Sequence, residues 1–222
     1  MGEGLAPADV ERVLGRAERA SRIDFSAYRK STMQRRIELR MAMCEAIGVE
    51  EYLARLETDA EEMPALLDAL LIKTTWIYRE PKTWDVLRSV ALGELFAERM
   101  ALGARMIRAW VPACSTGEEA HTLAMCLDEA CIANGDLDFQ IFASDVAESA
   151  LTIAREGVYP LASCTALPDD LRARYLEPFQ RDGSRFVRVA ENLRARIAFE
   201  AHDALRSGRL APADAGIASF DL

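Results

Sequence analysis

The spacing of apolar residues divides the chain into two parts. Over roughly the first hundred residues, apolar side chains recur every three or four positions, as on one face of an α-helix. This periodicity predicts five helices, at about 5–20, 26–47, 50–57, 62–72 and 82–101. Further along, the apolar runs 106–114 and 139–144 have the length of buried strands, and helical periodicity follows each of them. The pattern therefore predicts a helical first part and an α/β second part.

The segment from Met106 to Ala130 is predicted to fold as strand, turn and helix, the first unit of an open α/β sheet. The turn contains Ser115, Thr116 and Gly117, and either Ser115 or Thr116 is expected to cap the helix. Ligands of such sheets bind where a strand ends and its loop begins. The sequence therefore predicts a binding site at this loop.

Carboxylates near the loop narrow the choice of ligand. A dinucleotide-binding loop is rich in glycine and binds a pyrophosphate, whereas this loop has one glycine and is followed by Glu118 and Glu119. Asp145 ends the second apolar run, where an acidic residue is placed to bind the hydroxyl pair of a ribose. The set favours a nucleoside with a cationic centre, such as S-adenosylmethionine, over a nicotinamide cofactor. The alternative is that the two glutamates are first-turn helix residues without a ligand.

The last third of the chain predicts two more strands. Residues 181–184 form a predicted turn, 186–189 alternate like an edge strand, and 195–201 have the pattern of a third strand of the sheet. Residues 207–218 form a loop rich in glycine, proline and alanine, and residues 219–222 resemble the beginning of a further strand.

Composition and charge disfavour several functional classes. The 222 residues are 50% apolar and 28% charged, as in a globular protein of one large or two small domains. A net charge of −9 argues against general nucleic-acid binding, and no apolar run has the length of a membrane span. The five cysteines have no paired C-x-x-C spacing, and with the two histidines they form no metal-binding set. We therefore expect a cytoplasmic protein with reduced cysteines.

The predicted helix 26–47 begins with a concentration of positive charge inside an acidic chain. Its basic residues are Arg29, Lys30, Arg35, Arg36 and Arg40. These side chains either form ordinary solvated surface with pairing inside the chain, or they dock against an acidic helical partner. The sequence alone leaves both interpretations open.

Several segments together resemble the CheR family, the S-adenosylmethionine-dependent methyltransferases that esterify glutamates of chemotaxis receptors. The resemblance is carried by residues 113–120 (ACSTGEEA), 142–145 (FASD), 154–159 (AREGVY) and 186–203. It implies an N-terminal helical domain followed by a doubly wound, Rossmann-like methyltransferase domain with a small antiparallel insertion. It also implies that the last strands of that domain are missing from this chain.

The resemblance also implies domain limits. Residues 1–73 would form the all-α domain, 74–102 a linking segment and helix, and 103–222 an incomplete methyltransferase domain with a β-subdomain near 160–194.

The family's site residues carry over position by position. The cofactor-binding set implied is Lys73, Thr75, Arg79, Glu119, Asp145, Asp203 and Ala204. Arg79, in the segment Thr75–Pro81, is the expected catalytic residue, because it would orient the carboxylates of cofactor and substrate. The sequence departs from the family at Lys73 and Asp203, where asparagine is usual, and at Ile77-Tyr78, which replace an aromatic pair.

The function implied is methylation of glutamate side chains on the cytoplasmic helices of chemotaxis receptors by a monomeric enzyme. S-adenosylmethionine would be the cofactor and S-adenosylhomocysteine the product. The basic residues from Arg29 to Arg40 resemble the family's receptor-docking helix. The alternative is a non-catalytic, truncated module that binds a signalling or receptor helix.

Overall fold

A computed structural model describes residues 4–71, 75–135, 137–203 and 220–222. The chain forms two compact units, Met1–Ile72 and Lys73–Leu222. Within the described ranges, no helix has both the length and the apolar character needed to cross a membrane.

The described part of the first unit contains helices α1 Pro7–Ser21, α2 Lys30–Met43, α3 Val49–Thr58 and α4 Glu62–Leu70. Each places its apolar face in a shared interior, where Val13, Ile37, Tyr52 and Leu66 are fully buried. The predicted helix 26–47 is wrong at both ends. The chain turns before α2, where the N–H of Tyr28 bonds to the carbonyl of Phe25, and it leaves the helix where Glu45 adopts a φ of 57°.

A buried carboxylate connects α2 to α4. Glu62 is 3% exposed and accepts hydrogen bonds from Arg40 Nε at 3.0 Å, Tyr52 Oη at 2.8 Å and Cys44 Sγ at 3.0 Å. A second Arg40 nitrogen completes an ion pair with the same carboxylate. A buried charge is tolerated only when it is paired and hydrogen-bonded, and Glu62 meets both conditions.

The second unit alternates helices and strands. One helical stretch comprises α5 Pro81–Val86, a π-helical turn Leu87–Ala91 and α6 Leu92–Ala101. The elements that follow are β1 Met106–Pro112, α7 Glu118–Asn134, β2 Asp138–Asp145, α8 Glu148–Glu156, β3 Val158–Pro160, a 3₁₀ turn Leu161–Cys164, α9 Asp169–Tyr175, β4 Leu176–Arg181, β5 Ser184–Val189, α10 Glu191–Arg194 and β6 Ile197–Ala201.

The main sheet is parallel, in the order β1-β2-β6. Ile107, Ala109 and Val111 of β1 are buried on one face, level with Phe139, Ile141 and Ala143 of β2. The other edge of β1 is bonded by Phe220–Leu222: the N–H of Leu222 donates to Arg108 O at 3.3 Å, and Trp110 N–H donates to Leu222 O at 2.9 Å. The sheet therefore extends from β1 through β2 to β6 on one side, and the later segment Phe220–Leu222 bonds to β1 on the other side. This is the switch point at which doubly wound sheets bind ligands.

A second, antiparallel sheet has the order β3-β5-β4. The prediction that residues 186–189 form an edge strand is wrong, because β5 pairs with β3 on one side and β4 on the other. Asp182 and Gly183, at φ 51° and 76°, make the two-residue turn between β4 and β5 that such twisted hairpins require.

Candidate functional site

The loop after β1 has left-handed backbone at every second residue. Ala113, Ser115 and Gly117 have φ values of 52°, 51° and 90°. Only the third is glycine, and it is also the tightest position: a Cβ there would lie 2.6 Å from the Cβ of Ala154 in α8. Left-handed backbone costs an L-residue free energy, and such strain clusters at functional sites.

Asp145 connects this loop to the end of β2. Its Oδ2 accepts the N–H of Ser115 at 2.8 Å, and its Oδ1 accepts the N–H of Ala147 at 2.9 Å. Its backbone carbonyl accepts the N–H of His202 at 3.0 Å, so Asp203 follows at the same sheet edge. The carboxyl ends of β1, β2 and β6 therefore meet around Asp145.

The two glutamates in the first turn of α7 have different surroundings. The predicted caps Ser115 and Thr116 are wrong, because the N-cap residue is Gly117 and no side chain caps the helix. Thr116 Oγ1 instead donates to Glu118 at 2.6 Å, and burial raises the pKa of the Glu118 carboxyl. Glu118 is thus a buried first-turn residue bonded to the loop, whereas the side chain of Glu119 is exposed.

A cavity of about 330 Å³ opens in front of Glu119. It is lined by Thr75, Trp76, Arg79, Glu80, Thr83, Trp84 and Glu119. The guanidinium carbon of Arg79 lies 4.9 Å from the centroid of the Trp76 ring, and Trp84 Nε1 donates to the Arg79 carbonyl at 2.8 Å. The cavity combines two carboxylates, one guanidinium and two indole rings, and its volume lies in the range of small-molecule sites.

Backbone hydrogen bonds hold the segment that forms one wall of the cavity. Ile77 N–H donates to Ser163 O at 3.2 Å, and Tyr78 N–H donates to Thr122 Oγ1 at 3.1 Å. Both Ile77 and Tyr78 are buried, and the Tyr78 hydroxyl donates to Asp85 at 2.8 Å. The departure from the family's aromatic pair therefore lies in the protein interior and not among the side chains that line the cavity.

Two titratable side chains near the loop, a thiol and an imidazole, have pKa values shifted away from neutrality. Burial raises the pKa of Cys114 to about 12 and lowers that of His121 to about 4. His121 is fully buried, and its Nε2 lies 3.0 Å from the carbonyl oxygen of Ala154. Neither Cys114 as a thiolate nor His121 as a base is therefore poised to react near neutral pH.

The structure brings three of the predicted cofactor residues, Thr75, Arg79 and Glu119, together in one cavity. Asp145 and Asp203 lie at the carboxyl ends of β2 and β6. Lys73 and Ala204 fall outside the described residues.

The predicted docking residues, which lie on α2 or at its N-cap, fall into two groups. Arg40 is paired with Glu62, Arg36 donates to the carbonyls of Ala69 and Leu71, and Lys30 pairs with the exposed Glu11. Arg29 and Arg35 are exposed, and the described part of the chain gives them no ion-pair partner.

Sequence reasoning missed Trp76 and Trp84 as cavity walls. A signal was present for Trp76, which lies within the segment Thr75–Pro81 assigned to the cofactor. It also missed the alternation of left-handed residues, since alanine and serine at the first two positions conceal the spacing that glycines reveal elsewhere.

Comparison with known proteins identifies two family domains. The chain matches the "CheR methyltransferase, all-alpha domain" over residues 8–71 and the "CheR methyltransferase, SAM binding domain" over residues 73–215.

Curated relatives with sequence similarity to the chain are named as methyltransferases. Chemotaxis protein methyltransferase 2 of Pseudomonas aeruginosa is 28% identical over 86% of the chain, and the chemotaxis protein methyltransferase of Borreliella burgdorferi is 31% identical over 72%. A probable biofilm formation methyltransferase, WspC of Pseudomonas putida, is 28% identical over 79%. The matches cover 66%, 58% and 40% of these relatives, which is less than two thirds of each. The chain belongs to the CheR methyltransferase family, with its all-α domain followed by its S-adenosylmethionine-binding domain.

Proposed function

We propose that this chain contains the catalytic site of a protein-glutamate O-methyltransferase, which methylates glutamates of methyl-accepting receptors. The proposal rests on the cavity that is lined by both Arg79 and Glu119. Glu119 lies in the first turn of α7, the helix that follows the loop after β1. A carboxylate and a guanidinium on one cavity match a cofactor with a cationic sulfonium and amino group and an anionic carboxylate.

The residues present fit S-adenosylmethionine. Glu119 offers an acceptor to the positive groups, and Trp76 and Trp84 add aromatic rings, which attract cations, to the cavity wall. The Trp76 ring already has the Arg79 guanidinium over it. Asp145 uses one bond on each oxygen, and because a carboxylate has about four lone-pair sites, it retains acceptors for a pair of hydroxyls. When bound, this cofactor supplies an electrophilic methyl group.

The reaction proposed needs little from the protein beyond alignment. A glutamate side chain is already ionised at neutral pH, so no base is needed to make it nucleophilic. Cys114 and His121, whose pKa values are shifted away from neutrality, are consistent with that requirement. Arg79 would then orient the incoming carboxylate, a contribution through proximity and charge.

We place the substrate on cytoplasmic receptor helices. The named relatives include methyltransferases of chemotaxis and of biofilm formation, which supports a receptor of one of these two kinds of signalling system as the substrate. On α2, the exposed Arg35 is followed at helical spacing by Leu39 and Met43, which are 60% and 65% exposed. This face suits a partner helix with both acidic and apolar side chains.

Calorimetric titration with S-adenosylhomocysteine tests the cofactor site. We expect Glu119→Ala and Asp145→Ala to weaken binding, whereas Glu148→Ala, a matched change in the first turn of α8, should leave it unchanged. Methyl transfer to receptor fragments, measured as base-labile methyl groups, tests the reaction itself. Repeated failure of methyl transfer by a chain that binds the cofactor would contradict the proposed activity.

The second candidate is a non-catalytic module that binds a signalling helix. The exposed Arg29 and Arg35 support it, since they do not depend on the cofactor cavity. The two candidates differ in one measurement: the module binds receptor helices without binding S-adenosylhomocysteine.

A further inference from the structure

The hydroxyl of Ser115, in the loop after β1, is buried without a hydrogen-bond partner. The residue is 8% exposed, and its Oγ meets no donor or acceptor among the residues that the structure describes. Neighbouring hydroxyls are satisfied: Thr116 donates to Glu118, and Ser144 Oγ accepts from Trp110 Nε1 at 3.1 Å. A buried hydroxyl without a partner costs free energy, so each one in a native structure calls for an explanation.

The backbone of Ser115 is fixed around that hydroxyl. Its N–H donates to Asp145 at 2.8 Å, and the preceding N–H, of Cys114, donates to the carbonyl of Ser144 at 2.9 Å. Its φ of 51° lies in the left-handed region, which is unfavourable for a residue with a side chain. Of the three left-handed positions in the loop, only this one has a polar side chain. Strain and an unsatisfied hydroxyl thus coincide at the carboxyl end of β1, where ligands of such sheets bind.

We propose that Ser115 is a cofactor-contact residue, whose hydroxyl forms a hydrogen bond with a polar group of bound S-adenosylmethionine. The proposal rests on the proposed function and adds a side-chain contact to those of Glu119 and Asp145. A serine hydroxyl donates and accepts, so it suits either a ribose hydroxyl or the carboxylate of the methionine part.

The test compares Ser115→Ala with Ser144→Ala in the full chain. Binding of S-adenosylhomocysteine is measured by calorimetry, and thermal unfolding is measured without ligand. Ser115→Ala should weaken binding roughly three- to tenfold, the contribution of one neutral hydrogen bond. Its unfolding midpoint should be no lower than that of the wild type, because the free protein loses only an unpartnered polar group. Ser144→Ala should show the reverse, a lower midpoint with unchanged affinity.

Ser115→Gly provides a second variant, which removes the same hydroxyl and also relieves the left-handed strain. It should weaken binding to a similar extent while raising the unfolding midpoint. Unchanged affinity in both Ser115 variants would overturn the contact and leave the proposed function standing. A lowered midpoint with unchanged affinity would assign the hydroxyl an intramolecular partner and would also overturn it. If the folded wild-type chain binds no S-adenosylhomocysteine, the proposed function fails, and the contact fails with it.

Discussion

Asp145 accepts the backbone N–H of Ser115 at 2.8 Å, which fixes the loop after β1 to the end of β2. Its other oxygen accepts the N–H of Ala147, so one side chain satisfies two backbone donors. Asp145→Ala should lower the free energy of unfolding by about 1–3 kcal/mol, because both donors lose their partner. Urea unfolding of the second unit measures this effect.

Asp145→Asn serves as the graded control for that prediction. Its amide keeps one acceptor oxygen and loses the other, so the expected loss of stability is intermediate. Equal stability of Asp145→Ala and the wild type would show that the two backbone donors do not depend on this carboxylate.

Gly117 should not tolerate a side chain. In Gly117→Ala, the left-handed φ of 90° and the 2.6 Å approach to Ala154 act together. We expect a loss of about 2–4 kcal/mol, the sum of backbone strain and overpacking. Gly135→Ala is the matched control, because Gly135 has a φ of 84° and nothing within 4 Å of the added Cβ. Its loss should be only the backbone cost, about 1–2 kcal/mol.

A compensating change separates the two contributions at Gly117. Ala154→Gly in the Gly117→Ala background removes the overlapping methyl group, and it should recover part of the lost stability despite the cost of glycine in a helix. Equal losses in Gly117→Ala and Gly135→Ala would refute the close approach.

The stability of the first unit should fall in acid through Glu62. Burial raises the pKa of this carboxyl, but hydrogen bonds from Arg40, Cys44 and Tyr52 outweigh burial and hold its pKa below the usual 4.5. A lowered pKa in the folded state means that the stabilisation is fully present above pH 4.5 and is lost as the pH falls through the folded-state pKa. Glu62→Gln should lose about 2–4 kcal/mol at neutral pH.

Amide hydrogen exchange in α2 and α4 of the full chain, followed over a urea series at several pH values, measures this stability. The Glu62→Gln chain should lack the component of acid destabilisation that Glu62 gives the wild type. The same acid dependence in both chains would assign it to other groups.

The proposed docking surface, formed by α2 and its N-cap residue Arg29, should depend on Arg29 and Arg35 more than on Arg36 and Arg40. Replacing both Arg29 and Arg35 by glutamate should weaken binding to receptor helices roughly tenfold at low salt. The difference should shrink as salt is added, because exposed charges are screened. Binding of fluorescent receptor fragments at two salt concentrations provides the measurement.

Two further variants define the specificity of that result. Arg19→Glu with Arg105→Glu changes the net charge equally at exposed positions outside α2 and should have little effect on binding. Arg40→Glu should unfold the first unit, since it places a second carboxylate beside Glu62. Equal weakening by the Arg19 and Arg105 pair would reduce the docking surface to an effect of overall charge.

The local sequence pattern predicted which helices and strands form better than it predicted which strands pair with one another. The apolar periodicity of α1 and the strand before Ser115 were visible in the sequence, because each depends on residues close together in the chain. The central position of β5 was not visible, since its partner β3 is three residues long and ends in Pro160, which has no N–H to donate.

The candidate site shows the same division. Glu119 and Asp145 were identifiable from their positions after predicted strands. The ion pair of Arg40 with Glu62 was not identifiable, because Glu62 is 22 positions away on another helix. The cavity walls Trp76 and Trp84 likewise depend on a turn that the segment makes before α5, which spacing alone does not specify.

The bonding of Phe220–Leu222 to β1 has a consequence for synthesis of the chain. β1 pairs with β2 across 32 positions, Met106 with Asp138, whereas the bond from Arg108 N–H to Asp221 spans 113. The longer closure costs about 1 kcal/mol more entropy. At the rate of ribosomal synthesis, Asp221 is also added roughly 6–20 s after β1 has been made. During that interval one edge of β1, beside the loop that would hold the cofactor, stays open to pairing with other nascent chains.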